Sequence, residues 1–418
     1  MVVTFRKVDN VTNFLYNTTK IILILHKRSL FMKKQSNRHN KILNRALVII
    51  VRPFFKRIFR FSYKNNKLPG PTLVVSNHVT NFDPVLVSLC FPKDHMHFVA
   101  SEHLFRKGFV SKFLRYVFDP IPRRKGTSGA DTAMACMRKL RDGRSVCLFA
   151  EGECSWDGLT TDIFPATGRL ARMGNATLIT FRLEGGYLTA PRWGKGIRKG
   201  KMTGKVVGVY TPEDLKAMDK DAITGLIQRD IFENTWESQK ANPIRYKHPR
   251  RAENLQTVLY ACPHCHQFGK LSSKKATLSC QCGANWEYTE FGTFAPAQPH
   301  ENMQQWDAWQ RQLLEQKLDA GQLQLSDEAM IMEEILDGHQ QKAVSQGLLK
   351  LENDILTCGT ETLCLREIDD MALVQSRTLL ISVGSRYYQI RCEDPRCLRK
   401  YLAAWKHCQQ TAGVVTTH

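Results

Sequence analysis

From Leu68 to about Pro243 the chain alternates short apolar runs with segments of helical period, and this alternation constrains the fold more than any other feature. The runs Thr72–Ser76, His97–Ala100, Ser145–Ala150 and Thr177–Leu183 are bounded by Gly, Pro or polar residues and read as buried strands. Between them Pro84–Cys90, Leu104–Tyr116 and Ala130–Arg141 read as helices, the last closed by Asp142-Gly143. Thr211-Pro212-Glu213-Asp214 opens a further helix, with Pro and two acids in its first turn. Strands and helices in this order predict an α/β domain with helices over a central sheet.

Charge narrows the question of partners. The 418 residues carry 60 Lys and Arg against 39 Asp and Glu, a net of +21. Residues 1–68 hold 16 of those cations and one acid, Asp9. A basic arm of this kind suits nucleic acid or an anionic membrane surface. With 43% hydrophobic and 24% charged residues the composition is globular, not disordered or fibrous. The apolar runs Ile21–Leu25 and Ala46–Val51 fall short of the ~20 residues a spanning helix needs. Basic residues follow Ile21–Leu25 where a signal peptide would have a small-residue cleavage site. Neither a single-pass membrane protein nor a secreted one is expected.

Residues 41–62 are amphipathic. Lys41, Arg45, Arg52 and Lys56 share one side of a helical wheel, and Leu43, Leu47, Ile50, Phe54, Ile58 and Phe61 the other. Arg57 and Phe59 each fall on the wrong side, and Pro53 predicts a kink or two short helices meeting at Arg52–Pro53. Two readings stay open, an interfacial helix with its cations at lipid headgroups and a helix packed on its own domain.

Beyond Pro249-Arg250-Arg251 the character changes. A Cys-rich segment, Cys262–Cys282, is followed by a helical segment, Asn302–Leu318. From about Val344 the pattern is β-like: Leu348–Glu352 and Ile355–Cys358 flank Asn353-Asp354, a hairpin signal, and Met371–Gln375, Thr378–Val383 and Tyr387–Cys392 follow. A closing helix places Leu398, Tyr401, Leu402, Trp405 and Cys408 on one face. An antiparallel sheet capped by a helix resembles a pleckstrin-homology-like module in shape.

Four constellations could carry chemistry. Ser76-Asn77-His78-Val79-Thr80-Asn81-Phe82-Asp83 sets a His just past a strand end with a carboxylate five residues on, an arrangement suited to a general base and its orienting partner. Asp83 before Pro84 also fits a helix N-cap, with His78 an ordinary loop residue. Phe149-Ala150-Glu151-Gly152-Glu153-Cys154-Ser155 follows another strand, where open α/β sheets bind ligands. Pro120-Ile121-Pro122-Arg123-Arg124-Lys125-Gly126 offers guanidinium groups for bidentate phosphate recognition, or a solvated basic turn. Cys262-Pro263-His264-Cys265 and Cys280-Gln281-Cys282 supply four thiolates at a spacing that suits tetrahedral zinc, with His264 and His266 near enough to replace one ligand. Four Cys leave no open position, so such a zinc is structural. The other nine cysteines show no ligand spacing and read as core or surface thiols.

The first three elements, in this order, resemble the glycerolipid acyltransferase superfamily, of which lysophosphatidic acid acyltransferases are the best known. The resemblance covers roughly Leu68 to Gly200. It implies catalytic roles for His78 and Asp83, a phosphate-binding role for Arg123 or Arg124, and an acceptor-binding role for Glu151 and Gly152. The family's fourth, Pro-containing element departs here: Thr180–Tyr187 followed by Pro191 stands in its place. Trp306-Asp307-Ala308-Trp309-Gln310 resembles the tail of a bacterial subfamily that appends a zinc-ribbon-like segment. The expected organisation is a basic extension (1–40), an acyltransferase domain with its amphipathic helix (41–250), a zinc ribbon (255–292), a helical linker (293–325) and a β-rich module (326–412).

The resulting expectation is a peripheral enzyme on the cytoplasmic side of the cell membrane, with a structural Zn and no catalytic cofactor. It would move an acyl group from acyl-ACP or acyl-CoA to a lysophospholipid, 1-acyl-sn-glycerol-3-phosphate first among them, with an anionic membrane surface and no nucleic acid as partner. A serine hydrolase is excluded because no GxSxG elbow is present; Gly126-Thr127-Ser128-Gly129 has the wrong spacing. The rivals are a nucleic-acid-binding zinc-ribbon protein, using aromatic and basic residues of Phe54–Phe61 to stack bases, and an acyltransferase for a different lysolipid.

Overall fold

Every residue of the Thr72–Ser76 strand is buried, which requires cover on both faces of the sheet that holds it. The computed structural model describes residues 37–101, 118–123, 129–336, 340–374, 376–394, 396–411 and 413, with side chains from residue 45 onward. Its first part runs α1 (Asn37–Phe59), β1 (Phe61–Tyr63), β2 (Thr72–Ser76), α2 (Asp83–Cys90), β3 (Met96–Ser101), β4 (Ile121–Arg123), α3 (Ala130–Arg141), β5 (Ser145–Phe149), α4 (Ala166–Met173), β6 (Thr177–Glu184), α5 (Gly186–Thr189), β7 (Met202–Tyr210), α6 (Pro212–Lys216), α7 (Lys220–Ile231) and α8 (Thr235–Ala241). The strands form one mixed sheet in the order β1-β7-β6-β2-β5-β3-β4. Strands β6, β2, β5, β3 and β4 are parallel; β7 lies antiparallel to β6, and β1 runs with β7.

The expected α/β layering is present. Val74 faces a core shared with Val51, Phe55, Leu86 and Phe181, while Leu73 and Val75 face one shared with Leu140, Leu170 and Ile227. That alternation of period two is what a strand between two helix layers requires. All four expected strands form within a residue or so of their predicted ends, and Ala130–Arg141 is helical as read. The expected helix Leu104–Tyr116 lies outside the described residues, as do residues 1–36 of the basic extension.

Helix α1 departs from expectation in two ways. It runs unbroken through Pro53. Pro53 is exposed, and Ile49, whose carbonyl loses its partner to that proline, is 64% exposed, so water can take the bond. Its buried face is also not the expected stripe. Val48, Val51, Phe55 and Phe59 are buried, Leu47, Phe54 and Ile58 flank them, and Ile50 is 52% exposed. Phe55 and Phe59 stack on each other at 5.7 Å and meet the edge of Phe82 at 6.0 and 5.3 Å. Two apolar stripes lie side by side on this helix, and packing selected the one whose rings reach Phe82.

The second part runs β8 (Leu271–Lys274), β9 (Thr277–Cys280), β10 (Asn285–Tyr288), β11 (Phe294–Ala295), α9 (Met303–Asp319), β12 (Gln324–Ile335), β13 (Gln341–Glu352), β14 (Ile355–Cys358), β15 (Glu361–Cys364), β16 (Asp370–Val374), β17 (Thr378–Val383), β18 (Arg386–Arg391) and α10 (Arg399–Thr411). Strands β8 to β11 make a small sheet around the Cys segment, and β12 to β18 an antiparallel sheet in the order β15-β14-β13-β12-β18-β17-β16. The Asn353-Asp354 hairpin forms in register, Glu352 opposite Ile355. Helix α10 buries Tyr401, Leu402 and Trp405, the expected face. Helix α9 is no spacer, contrary to the linker expected over 293–325: Trp306 and Leu314 are fully buried, and the Trp306 indole N–H donates to the Ala261 carbonyl at 3.0 Å. One continuous core joins these modules to Tyr187, Trp193 and Trp236 of the α/β part.

The two faces of α1 should differ on mutation. Phe59→Ala should cost about 3–5 kcal/mol of unfolding free energy, read by urea denaturation, whereas Ile49→Ser should stay within about 0.5 kcal/mol. Equal costs would contradict the buried face described.

Candidate active site

Register brings the separated motifs together. Ser76 at the end of β2 pairs with Phe149 at the end of β5, so the segment entered at Asn77 and the segment entered at Ala150 leave the sheet side by side. Asn77 is fully buried and ties the first segment to β6: its amide donates to the Leu183 carbonyl, and its oxygen accepts from the Leu183 N–H, both at 2.8 Å. Beyond it, the His78 carbonyl accepts from the Ser155 N–H at 2.9 Å.

His78 Nδ1 lies 2.7 Å from Asp83 Oδ2. Asp83 is fully buried and accepts three more bonds, from the Val79 N–H at 2.7 Å, the Thr80 N–H at 2.9 Å and the Thr80 hydroxyl at 2.7 Å. The N-cap alternative is thereby removed. Phe82 occupies the cap position of α2 without a side-chain bond, and the Asp83 carboxylate turns back to the loop instead of serving its own helix. A carboxylate at that spot accepts, so His78 carries its proton on Nδ1 and presents Nε2 as the basic nitrogen.

The imidazole lies 4.5 Å from the Phe149 ring, stacked at 22°. Cys154 Sγ is 3.3 Å from Nε2 and 3.4 Å from Nδ1. Nearly equal distances put the sulfur across the ring and not on either N–H line. Burial opposes charge on His78, while charge at the Cys154 sulfur and the Asp83 carboxylate favour it; the balance raises the pKa well above the usual value. Below the unfolded value of about 6.5 the pair's stabilisation is complete, and it is lost as pH rises through the raised value.

Glu151 sits under the loop. One carboxylate oxygen accepts the His78 N–H at 2.6 Å, and the other accepts the Thr161 N–H at 2.8 Å and hydroxyl at 3.1 Å. Burial raises its pKa to about 7 against these bonds. Gly152 has φ +70°, and a Cβ there would stand 2.5 Å from the Phe164 ring and 3.0 Å from Arg123 Nη1, so only glycine fits. Arg123, at the end of edge strand β4, lays its guanidinium over Phe164 at 4.3 Å. The structure thus brings His78, Asp83, Glu151, Gly152 and Arg123 to one end of the sheet; Arg124 lies outside the described residues.

Residues not assigned a role from sequence also shape the site: Thr80, Thr161, Cys154 and Arg192. Arg192 bonds Glu153 Oε2 at 3.1 Å and the Cys154 carbonyl at 3.0 Å, and its guanidinium stacks 3.5 Å from the Trp156 ring centre. A hydroxyl three residues before Asp83 was the available signal for Thr80; no local pattern marks the others.

A second cluster joins Cys262, Cys265, Cys280 and Cys282, whose sulfurs all lie within 4.8 Å of one another. Cys262–Cys282 and Cys265–Cys280 are 3.8 Å apart, close to the roughly 3.8 Å edge of a tetrahedron of sulfurs about 2.3 Å from a zinc centre. His264 Nδ1 is 3.7 Å from Cys282 Sγ. The donor set and its dimensions fit zinc.

Residues 59–184 match the family model described as Acyltransferase. The match ends within Thr180–Tyr187, short of Pro191, and includes neither the Cys cluster nor the C-terminal sheet. Among solved structures, the chain is similar to the 1-acyl-sn-glycerophosphate (LPA) acyltransferase PlsC from Thermotoga maritima, at 18% identity and a TM-score of 0.41, over 56% of this chain and 91% of that one.

An NMR titration should place the His78 pKa above 6.5 in the native protein. Asp83→Asn should lower it and cost about 1–3 kcal/mol of stability, because an uncharged amide oxygen is a weaker acceptor for His78 and the Val79 and Thr80 N–H groups, and its NH2 turns a donor toward the Thr80 hydroxyl. A His78 pKa unchanged by that substitution would remove Asp83 as its charge partner.

Proposed function

We propose that the protein transfers an acyl group from acyl-ACP or acyl-CoA to the hydroxyl of a lysophospholipid, 1-acyl-sn-glycerol-3-phosphate being the acceptor we favour, in phospholipid biosynthesis. The observation that carries this reading is the His78–Asp83 pair, 2.7 Å apart at a strand end of a domain that matches the Acyltransferase family. In this reaction His78 Nε2 takes the proton of the acceptor hydroxyl as its oxygen attacks the thioester carbonyl, and Asp83 stabilises the imidazolium that forms. The tetrahedral intermediate collapses to the ester and expels the thiolate, which recovers the proton from His78. No protein nucleophile and no catalytic cofactor is required. Arg123 supplies the guanidinium for the acceptor's phosphate. Glu151, its carboxylate already engaged by the His78 N–H and Thr161, acts by holding the His78 loop.

The Cys262, Cys265, Cys280 and Cys282 thiolates hold a structural zinc in this proposal, whose contribution is folding energy. Among the described residues no helix is long and apolar enough to cross a membrane. Peripheral attachment at the cytoplasmic face is assigned to the outer side of α1, where Ile49 and Ile50 are exposed beside Arg45.

Purified protein assayed with acyl thioesters and a lysolipid panel tests the reading. His78→Ala should lower kcat by about 10²–10⁴-fold, and near-normal turnover would end the mechanism. Arg123→Ala should raise KM more for a phosphate-bearing acceptor than for one without phosphate, since the phosphate contact is uniform binding.

Metal analysis should find one zinc per chain, lost in the double variant Cys262→Ser, Cys265→Ser. Tyr288 packs on Trp193 at 5.7 Å, so zinc loss should lower the main unfolding midpoint as well as unfold the Cys segment. An undisturbed midpoint would separate the two cores.

Binding to anionic vesicles should weaken with salt and fall further on Ile49→Ser with Ile50→Ser. Phe54 and Phe61 are poorer choices, because Phe61 is buried. Equal affinity of the double variant and the native protein would remove this face from the membrane.

A further inference from the structure

Two adjoining cavities lie beside the C-terminal end of α1. The first, about 710 Å³, starts at Asn81 and Phe82 on the loop of His78 and Asp83, has Ile58, Pro191 and Ile197 among its apolar lining, and is rimmed by Arg57, Arg60, Arg192 and Lys199. The second, about 510 Å³, shares Arg60 and Lys199 with it and adds Lys201, Arg245 and Lys247. Among the described residues no acid lines either cavity. Arg192 and Arg245 are ion-paired, with Glu153 at 3.1 Å and Glu290 at 3.5 Å. Arg57, Arg60, Lys199, Lys201 and Lys247 pair with no carboxylate among the described residues. Like charges gathered without counter-charge repel one another, and a concave wall focuses their field, so the trough is matched to a polyanion.

We propose that this trough seats the nucleotide end of a coenzyme-A-type acyl thioester, its phosphates among Arg60, Lys199 and Lys247, with the apolar start of the trough leading the thioester toward His78. The proposal rests on the acyl-transfer reading. Sheet order supports the division of labour. The trough takes residues next to β1 and β7, one edge of the sheet; Arg123 ends β4, the opposite edge; His78 follows β2 between them. One guanidinium suits an acceptor's single phosphate, and a run of cations suits a carrier with several. Both volumes fall in the range of small-molecule sites, which favours a soluble nucleotide carrier over an acidic carrier protein, whose recognition would need a broad, flatter face.

The test is calorimetric titration of the full chain with adenosine 3′,5′-bisphosphate, alongside steady-state kinetics with acyl-CoA. Arg60 and Lys199 are exposed, so Arg60→Gln with Lys199→Gln should keep the native unfolding midpoint. That variant should raise the Kd for the bisphosphate, and the KM for acyl-CoA, tenfold or more. Lys216→Gln, remote from the trough, should leave the Kd unchanged, and His78→Ala should still bind the bisphosphate. Unchanged Kd in the double variant, or no bisphosphate binding, would overturn the proposal. Acyl transfer from an acidic carrier protein alone, sensitive to the same double variant, would also overturn it in favour of the protein donor. Bisphosphate binding that depends on Arg60 and Lys199 in a protein that transfers no acyl group would instead overturn the acyl-transfer reading and leave the phosphate site standing.

Discussion

The Asp83 carboxylate is the contact on which the rest of the site depends. It is fully buried, and its desolvation is offset only because His78, Val79 and Thr80 direct four donors at it. A carboxylate so enclosed cannot move without leaving several donors unsatisfied. That cost holds the imidazole in one orientation, the preorganisation that the proposed general base would need. Glu151 repeats the device one strand away, accepting the His78 backbone N–H and the two Thr161 donors. The His78 loop is therefore clamped by two buried acids, one on its side chain and one on its backbone.

Support for that loop comes from elements distant in sequence. Phe82, next to Asp83, is held by the Phe55 and Phe59 rings of α1. Helix α1 thus has three faces: rings inward against the His78–Asp83 loop, Ile49 and Ile50 outward, and Arg57 at the rim of the basic trough. A membrane contact on the outward face and a substrate in the trough would meet through one rigid element, which is an economical way to deliver an amphiphile to His78.

How much of this was legible in the sequence divides along physical lines. Period-two alternation and short bounded apolar runs report burial directly, so β2 and its neighbours could be read to within a residue or so. The His78–Asp83 pair was legible as a spacing, but its competitor, the helix cap, could be dismissed only by seeing that the carboxylate points away from α2. The face of α1 was misread because a wheel measures amphipathicity and not which of two adjacent apolar stripes finds a partner. Glu151 looked like a ligand contact, and its bond to the His78 N–H depends on the β2–β5 register, which no local pattern encodes. Cys154 and the trough were invisible for the same reason. The trough's cations come from Arg60, Lys199 and Lys247, which are ordinary surface residues until the fold gathers them.

The C-terminal module bears on the site through a short chain of contacts. Asp307 of α9 is fully buried and accepts from the guanidinium of Arg399 at the start of α10, whose Nη2 lies 2.8 Å from Oδ2. Burial opposes its charge, but Arg399 and Arg311 hold the carboxyl below its usual pKa. The Arg399 guanidinium also lies 5.5 Å from the Trp156 ring centre, and Trp156 donates to Glu153 Oε2 at 3.1 Å, two residues after Glu151. Asp370 of β16 adds its charge to that of Glu153 beside Arg123. The buried pair between α9 and α10 therefore adjoins, through Trp156, the segment that carries Glu151 and Cys154. Desolvated ion pairs of this kind seldom add net stability over apolar packing. What the pair does add is position: it seats the Arg399 guanidinium against Trp156, whose indole N–H donates to Glu153, and Glu153 is one of the two carboxylates whose charge reaches Arg123.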